Sequence, residues 1–452
     1  MIPTIGPIMR SDDQPAVAIV GAGFSGTMLA AELARRGVRS VVFERAGREG
    51  RGTAYSTVEP AHLLNVPALK MSAWADDPDH FARAVEAAGG TAKDFAQRRA
   101  FGRYLRDILN EAVESGLVEI IVARAVSARR EGTGWRIAGE GGDEIAARAL
   151  VLAHGNQPPE PLRGSEQLGP RFVNNPWVAE SATAVAQVAD SDADVLIVGT
   201  GLTMIDMVLS LDAAGHRGRI VALSRRGQIP RSHADYEPAP VALDALPLGN
   251  VAALWRWLRR RAGEVGWRAA VDSWRPHSHD IWKSLDPVER QRFVRHARPW
   301  WDVHRHRIAP QVAAQIARMV SEGRLEIAAG RIGAMRELEG AIEVEIRRRG
   351  KNPPAPSLQG GEKFAAAFNC TGPLGAIVRT RDPLLRQMLE NGLIAADELG
   401  MGLAVDDDSR AGERVWALGP LTKGAYWEIV AVPDIREQAA AVAEAIAMEL
   451  ER

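Results

Sequence analysis

The 452-residue chain has one cysteine, Cys370, which excludes an internal disulfide, a C-x-x-C redox pair and a multi-cysteine metal site, and which suits a reducing compartment. An excess of one charge is missing too. Lys and Arg number 56 against 57 Asp and Glu, a formal net charge of −1, so the molecule as a whole offers no field to draw in nucleic acid or an acidic membrane surface. No apolar run reaches membrane-spanning length. Residues 1–14 show neither a charged start with an apolar core nor a small-residue cleavage pattern, so a cytoplasmic location is expected. Disordered, collagen-like and coiled-coil compositions are absent as well: 46% apolar and 25% charged residues describe a folding chain, long enough for two domains.

What is present is a repeated layout. Residues 16–20 (AVAIV) read as a strand buried on both faces and ended by Gly21; residues 27–36 are helix formers stopped by Gly37; residues 38–44 read as a second strand. Strand, turn, helix and strand in about 30 residues is the size of a right-handed parallel crossover unit. The same order returns at 194–198, 199–201, 204–214 and 218–224. It continues from 117–122 through a meander around Trp135 to 149–155, and from 325–328 through 342–346 to 364–372. The expected fold class is α/β, with two Rossmann-like three-layer dinucleotide-binding domains. The first covers 1–160 and is completed by 366–452; the second covers 161–365, with a helical insertion at about 240–312. Residues 156–170, rich in Pro, Gly and Glu, read as the crossing linker, and 436–451 as an Ala-rich helix begun by Pro433 and Asp434.

Each unit carries a glycine turn. Gly21, Gly23 and Gly26 match G-x-G-x-x-G between a strand and a helix: the first glycine for the tight turn, the second for approach of a pyrophosphate, the third for helix packing. Glu44, closing the next strand, suits both hydroxyls of an unmodified adenosine ribose. The second turn, Gly199, Thr200, Gly201, Leu202, Thr203, has Met204 at the third glycine position, which governs packing more than phosphate contact. Its next strand ends in Ser224, Arg225 and Arg226, and guanidinium groups there favour the 2′-phosphate of NADPH over NADH. The alternative is a solvated arginine pair on a half that binds nothing.

GAGFSG at 21–26, GTAYS at 52–56, HLLNVPA at 62–68, GTGLTMID at 199–206, ALSRRG at 222–227, NCTGP at 369–373 and WALGP at 416–420, in this order, resemble the two-dinucleotide flavoproteins that include bacterial FAD-dependent urate hydroxylase and aspartate N-monooxygenase. The resemblance implies FAD on the first half and NADPH on the second. Gly21, Gly23, Phe24, Ser25, Gly26, Glu44 and Arg45 would serve the ADP part of FAD, and Thr53, Ala54, Tyr55, Asn65 and Val66 the ribityl chain and ring. Ala153, His154 and Gly155, and Cys370, Thr371 and Gly372, stand where such proteins carry their two chain-crossing segments. Many relatives end in a Gly-Asp pair whose acid holds the ribityl chain; here Pro420 follows Gly419, leaving Leu421, Thr422 and backbone groups as substitutes. A helix starting near Pro433 would turn its positive end to the flavin. The implied activity is that of an NADPH-using monooxygenase acting through a flavin C4a-hydroperoxide, with O₂ and a small polar or anionic substrate of amino acid or purine type. Alternatives are a flavin reductase or oxidase without oxygen insertion, a non-enzymatic dinucleotide-binding protein, and a reductive partner in a larger complex.

Residues 248–306 hold seven of the 12 tryptophans and five of the 10 histidines. Arg275, His277, Arg305 and His306 are candidates for holding an anionic substrate, with tryptophan walls to exclude water. A helix simply packed by tryptophan is the alternative. The residues within each pair, His277/His279 and His304/His306, point in different directions on a helix, and no carboxylate or cysteine pattern accompanies them, so no metal is expected. Cys370 reads as an inert small hydrophobe; Lys70 and Met71 stand where they can lie beside the flavin, with a surface lysine and a core methionine as the alternative, and neither is assigned a catalytic role.

Overall fold

Val17–Val20 is buried at every position, as a parallel strand covered on both faces must be. It lies inside the first sheet of the computed structural model, which describes residues 15–45, 47–348 and 361–451. The strand pairs in parallel with Ser40–Glu44 and Ala149–Leu152, Val17 standing opposite both Ser40 and Ala149. The six strands run in the order Arg410–Gly412, Val415–Ala417, Ala149–Leu152, Val17–Val20, Ser40–Glu44, Val118–Val122, so the late part of the chain supplies one edge of the first sheet. Helix Val432–Leu450, starting earlier than expected, packs its Ile435, Ala439, Val442 and Ile446 into the same core as Met28 and Leu29 of helix Phe24–Arg35.

The second sheet repeats the plan. Val195–Val198 pairs in parallel with Ile220–Ser224 and Ala366–Asn369, Val195 standing opposite both Ile220 and Ala366. Its seven strands are ordered Glu362–Phe364, Ala341–Arg348, Leu325–Leu338, Ile220–Ser224, Val195–Val198, Ala366–Asn369, Phe172–Val173. The two Rossmann-like α/β units are therefore present, with two differences from the sequence reading. The meander around Trp135 leaves the first sheet and makes its own three-stranded sheet, whereas Leu325–Leu338 runs on for 14 residues and folds back against Ala341–Arg348 without leaving the second. The strand Ala366–Asn369 also belongs to the second sheet, so the chain returns to the first only after Asn369, beyond the boundary expected at 365/366.

The insertion is helical: Val251–Val265, Trp267–Ser273, Ser278–Ser284, Pro287–Arg292 and Arg298–Arg305. It stops short of residue 312, because helix Pro310–Ser321 buries Val312, Ile316 and Met319 with Val195 and Ile197 in the core of the second unit. Its own core of Leu254, Leu258, Trp274, Trp282 and Trp301 is closed by Trp427, which follows the last strand of the first sheet. The Trp282 indole donates to Gly424 O at 2.8 Å, and its ring centroid lies 5.1 Å from that of Trp427. An insertion in one half is thus docked on the other. Among the described residues no helix is long and apolar enough to cross a membrane; residues 1–14, whose composition bears on location, lie outside them.

A buried ion pair also joins the halves. Arg98, opening helix Arg98–Glu114, meets Asp206 of helix Leu202–Ala213 at 2.9 Å, with side chains 11% and 7% exposed. The His62 ring reaches Asp206 O at 2.9 Å in the same junction. Removing one partner strands a buried charge, so Arg98→Met is expected to cost about 3–5 kcal/mol in urea unfolding, and Arg98→Met with Asp206→Leu less than the sum of the two single changes.

Candidate functional site

Helix Phe24–Arg35 starts at Gly23 without a side-chain cap, which leaves first-turn N–H groups for an acceptor from outside the chain. Gly26 holds the helix against the turn: a Cβ there would lie 1.8 Å from Gly21 O. Gly23 faces Gly52, whose Cβ would lie 2.8 Å from the Gly23 Cα, so the short helix Gly52–Tyr55 rests on the turn. The Glu44 carboxylate accepts from Ala22 N at 3.0 Å and Arg45 N at 3.1 Å. Two such bonds leave lone pairs for a further donor. Burial raises the Glu44 carboxyl above the usual range, against the opposing Ala22 N–H. Arg45 is exposed, while Phe24 and Ser25 are buried in the turn.

At the second turn, helix Leu202–Ala213 likewise starts uncapped, at Gly201, and a Cβ on Gly201 would meet nothing within 4 Å. Met204, standing where a third glycine is usual, is fully buried among Ile197, Met207 and Val208. The Thr200 hydroxyl bonds Ser224 Oγ at 2.8 Å and Gln228 O at 2.5 Å, and Gly227 N donates to Ser224 Oγ at 3.0 Å, so Thr200 and Ser224 tie the loop together. Arg225 is exposed and Arg226 half-buried, and neither forms an ion pair with an acid among the described residues.

One cavity of about 1420 Å³ connects the halves. A pocket for a single drug-sized ligand is ~300–1,000 Å³. Ala54, Tyr55, Asn65 and Val66 line it from the first unit, Gly199, Thr200, Gly201, Leu202, Thr203, Ser224 and Arg225 from the second, and Arg275, Arg305 and His306 from the insertion. The N-terminal end of helix Val432–Leu450 reaches it through Val432 and Pro433. Thr53 stands aside from it, its hydroxyl taken by Arg48 at 3.2 Å. Gly155 stands half-buried in a positive-φ turn.

Several expected contacts lie elsewhere. His277 does not reach the cavity; its ring bonds Val241 O at 2.7 Å and fastens the insertion's approach loop. None of the insertion's seven tryptophans lines the cavity: six pack the helices, Trp300 is exposed, and the indoles on the wall are Trp177 and Trp427. Leu421 is buried with Leu152 and Leu403 behind the first sheet. The Thr422 hydroxyl turns inward, donating to Gly419 O at 2.9 Å and accepting from Gln438 at 3.0 Å, while Gly419 N donates to Gln438 at 2.8 Å. These groups satisfy one another in the core, and a ribityl contact through the Leu421 or Thr422 side chain is not built here.

The insertion's charges divide into spent and free. Arg305 pairs with buried Glu428 at 3.0 Å, and Trp301 donates to Glu428 at 2.7 Å. Burial pushes the Glu428 carboxyl up, but Arg305, His306 and the Trp301 indole pull it further down, below the usual range. Arg307, also buried, is held by Asp272 at 2.7 Å. Arg275 faces the cavity half-buried with no bonded acid among the described residues, and desolvation followed by Arg305 lowers its pKa. Desolvation lowers Lys70 too, against the pull of Asp272, and pushes Lys423, beside Trp427, down to about 8. Desolvation likewise lowers His306. Sequence reasoning missed Lys423, Trp427 and the Arg98–Asp206 pair, all on the wall, because each is placed by a contact distant along the chain; the Trp-Glu step at 427–428, aromatic and acidic beside a glycine-rich turn, was the one available hint.

The family model for an FAD-NAD(P)-binding unit matches residues 18–157. The fold is that of FAD/NAD(P)-binding proteins. Over 97% of this chain and 100% of the other, the chain is similar to the reduced form of ornithine hydroxylase from Pseudomonas aeruginosa, at 16% identity and a TM-score of 0.65. It is similar to the Kutzneria sp. 744 ornithine N-hydroxylase, solved with reduced FAD, NADP⁺ and L-ornithine, over 96% and 99% of the chains, at 16% identity and a TM-score of 0.61. Thioredoxin reductase from Lactococcus lactis is similar over 96% and 100%, at 14% identity and a TM-score of 0.54. No curated protein matches the sequence.

Two outcomes follow from the local geometry. Gly26→Ala is expected to cost at least about 1–3 kcal/mol, since backbone has to move, whereas Gly201→Ala, with open space around it, leaves the melting temperature unchanged. The His233 ring donates to Asn65 O at 2.7 Å, and burial pushes its pKa down to about 4. The unfolded chain takes up that proton near pH 6.5 (about 6.5 for free histidine) and the folded chain refuses it. The stabilisation is therefore whole above about pH 6.5 and falls as the pH drops from there towards 4. Urea midpoints at pH 7.5 and pH 5 are expected to differ less in His233→Gln than in the parent.

Proposed function

We propose that the chain is an FAD-dependent, NADPH-using monooxygenase that transfers one oxygen atom of O₂ to a small polar or anionic molecule of amino acid or purine type. The observation that carries this reading is the pair of uncapped glycine turns with opposite charge at their ribose positions, Glu44 at one and Arg225 with Arg226 at the other, in two units that share one cavity. The turn residues fit a dinucleotide: glycine where a Cβ would fill the cradle, and N–H groups without an internal acceptor. Gly21, Gly23, Phe24, Ser25, Gly26 and Glu44 would hold the ADP part of FAD, with Ala54, Tyr55, Asn65 and Val66 further along it. Gly201, Leu202, Thr203 and Arg225 would hold NADPH. FAD, when bound, supplies acceptance of hydride and activation of O₂.

The chain's own part is to align and to exclude water. Trp427, Met71, Val430 and Val432 give the cavity apolar wall, and Arg275, Lys70 and Lys423 give it cations bonded to no acid among the described residues, which suits an anionic substrate. Arg305 is already neutralised by Glu428, so its part is to shape the wall rather than to bind the anion. The similar hydroxylases, one solved with FAD and NADP⁺, support the same chemistry; the single cysteine argues against the dithiol exchange of a disulfide reductase.

The test is made on purified protein. A flavin spectrum, NADPH consumption in air stimulated by one of a panel of amino acids and purines, and ¹⁸O from ¹⁸O₂ in the product are expected. Electrons recovered wholly as hydrogen peroxide, with no label in any organic product, would assign an oxidase instead. Arg225→Ala is expected to raise the KM for NADPH about tenfold or more, while leaving that for NADH within twofold.

A further inference from the structure

The strand ends beside Arg225 carry an arrangement that no motif announces. Ile220–Ser224 and Leu325–Leu338 run parallel with Ser224 opposite Ala329, so Arg225 leaves its strand beside Gly330 and Arg331. Arg331 stands directly across from Arg347 on the neighbouring antiparallel strand. Like charges in that position repel, and a sheet tolerates them where something negative lies between or beside them. Arg347 has such a partner: Glu345 meets it at 2.8 Å and is itself held by Ala334 N at 3.3 Å, at the irregular step of the long strand. Arg348, next along, is balanced by Glu326 and Glu362 at 2.8 Å each. Arg331 is exposed and pairs with no acid among the described residues, and Arg225 is in the same condition; both line the cavity beside the open face of Gly201.

We propose that Arg331 is the second arm of the 2′-phosphate seat, gripping that group together with Arg225 from the adjacent strand end. Adjacent strands lie ~4.8 Å apart, a spacing that lets two guanidinium groups reach oxygens of one phosphate. A phosphate monoester carries about −1.5 to −2 charge at neutral pH, which two unpaired arginines match. Glu345, already spent on Arg347 and a backbone N–H, does not cancel Arg331. Discrimination for NADPH thus comes from two places in the chain more than a hundred residues apart, only one of which belongs to the glycine-turn pattern.

This inference rests on the reading of the second turn as the NADPH site, and calorimetry separates the two. The intact protein is titrated with 2′,5′-ADP and with ADP, which lacks the 2′-phosphate. The parent is expected to bind 2′,5′-ADP the more tightly. Arg331→Ala is expected to weaken 2′,5′-ADP at least about tenfold and ADP less than twofold, with Arg331→Lys recovering part of the loss. Unchanged 2′,5′-ADP binding in Arg331→Ala, or equal losses for both ligands, overturns the role of Arg331 and leaves the NADPH site standing. A parent that does not distinguish the two ligands overturns the NADPH site and this arm with it. Circular dichroism melts check that the exposed substitutions leave the fold intact.

Discussion

Backbone contact between each glycine turn and the chain-crossing segment beside it is the constraint on which the molecule is organised. A Cβ at Gly21 would lie 2.5 Å from Ala153 O, and one at Gly199 would lie 2.1 Å from Cys370 O, both at φ above +100°. Neither position admits a side chain, for steric reasons and for conformational ones. The same contact in both halves sets the end of the glycine-turn strand against the end of the neighbouring parallel strand, where the chain changes units. The crossings at 153–155 and 370–372 are thereby placed next to the turns, and the second turn with its crossing, 370–372, lines the cavity. Position 204 obeys a looser rule: with no backbone in the way, methionine fills the space that glycine leaves elsewhere and becomes core.

The insertion depends on this frame. It leaves the second unit after the strand Ile220–Ser224 and closes its tryptophan core on Trp427 of the first. Most of its tryptophans are structural, and two of its arginines on the cavity wall are consumed, Arg305 by Glu428 and Arg307 by Asp272. Half-buried Arg275 is what it offers the cavity, joined there by Lys70 and Lys423 from the first unit. Charge composition alone overstates the basic character of such a segment, because a buried arginine is nearly always spoken for.

The parts of the fold legible from sequence are those fixed by local pattern. The apolar quartets at 17–20 and 195–198 admit little but a strand buried on both faces, and the glycine turns follow them in register. Ser224, Arg225 and Arg226 were legible because the strand end is itself predictable. The remainder depends on contacts between distant residues. His277 looked like a ligand until Val241 O, 36 positions earlier, claimed its ring; Leu421 and Thr422 looked free until Leu403 and Gln438 closed over them. Arg98 and Asp206, 108 positions apart, carry no local signature at all.

Cys370 bears on where electrons can leave such a site. It lines the cavity behind the second turn, its carbonyl locked against Gly199, and burial pushes its thiol well above the usual range. A thiol held protonated is a poor nucleophile, and this one has no second cysteine with which to form a disulfide. Under the proposed reading, reducing equivalents delivered by NADPH therefore have no dithiol of this chain to pass through. They must leave on a small diffusible acceptor that enters the cavity, and the chain's contribution to the outcome lies in what shares that space with it. An apolar wall at Trp427 excludes water, and Arg275, Lys70 and Lys423, cations with no acid partner among the described residues, favour an anion, the condition under which activated oxygen meets a substrate before it is lost as peroxide.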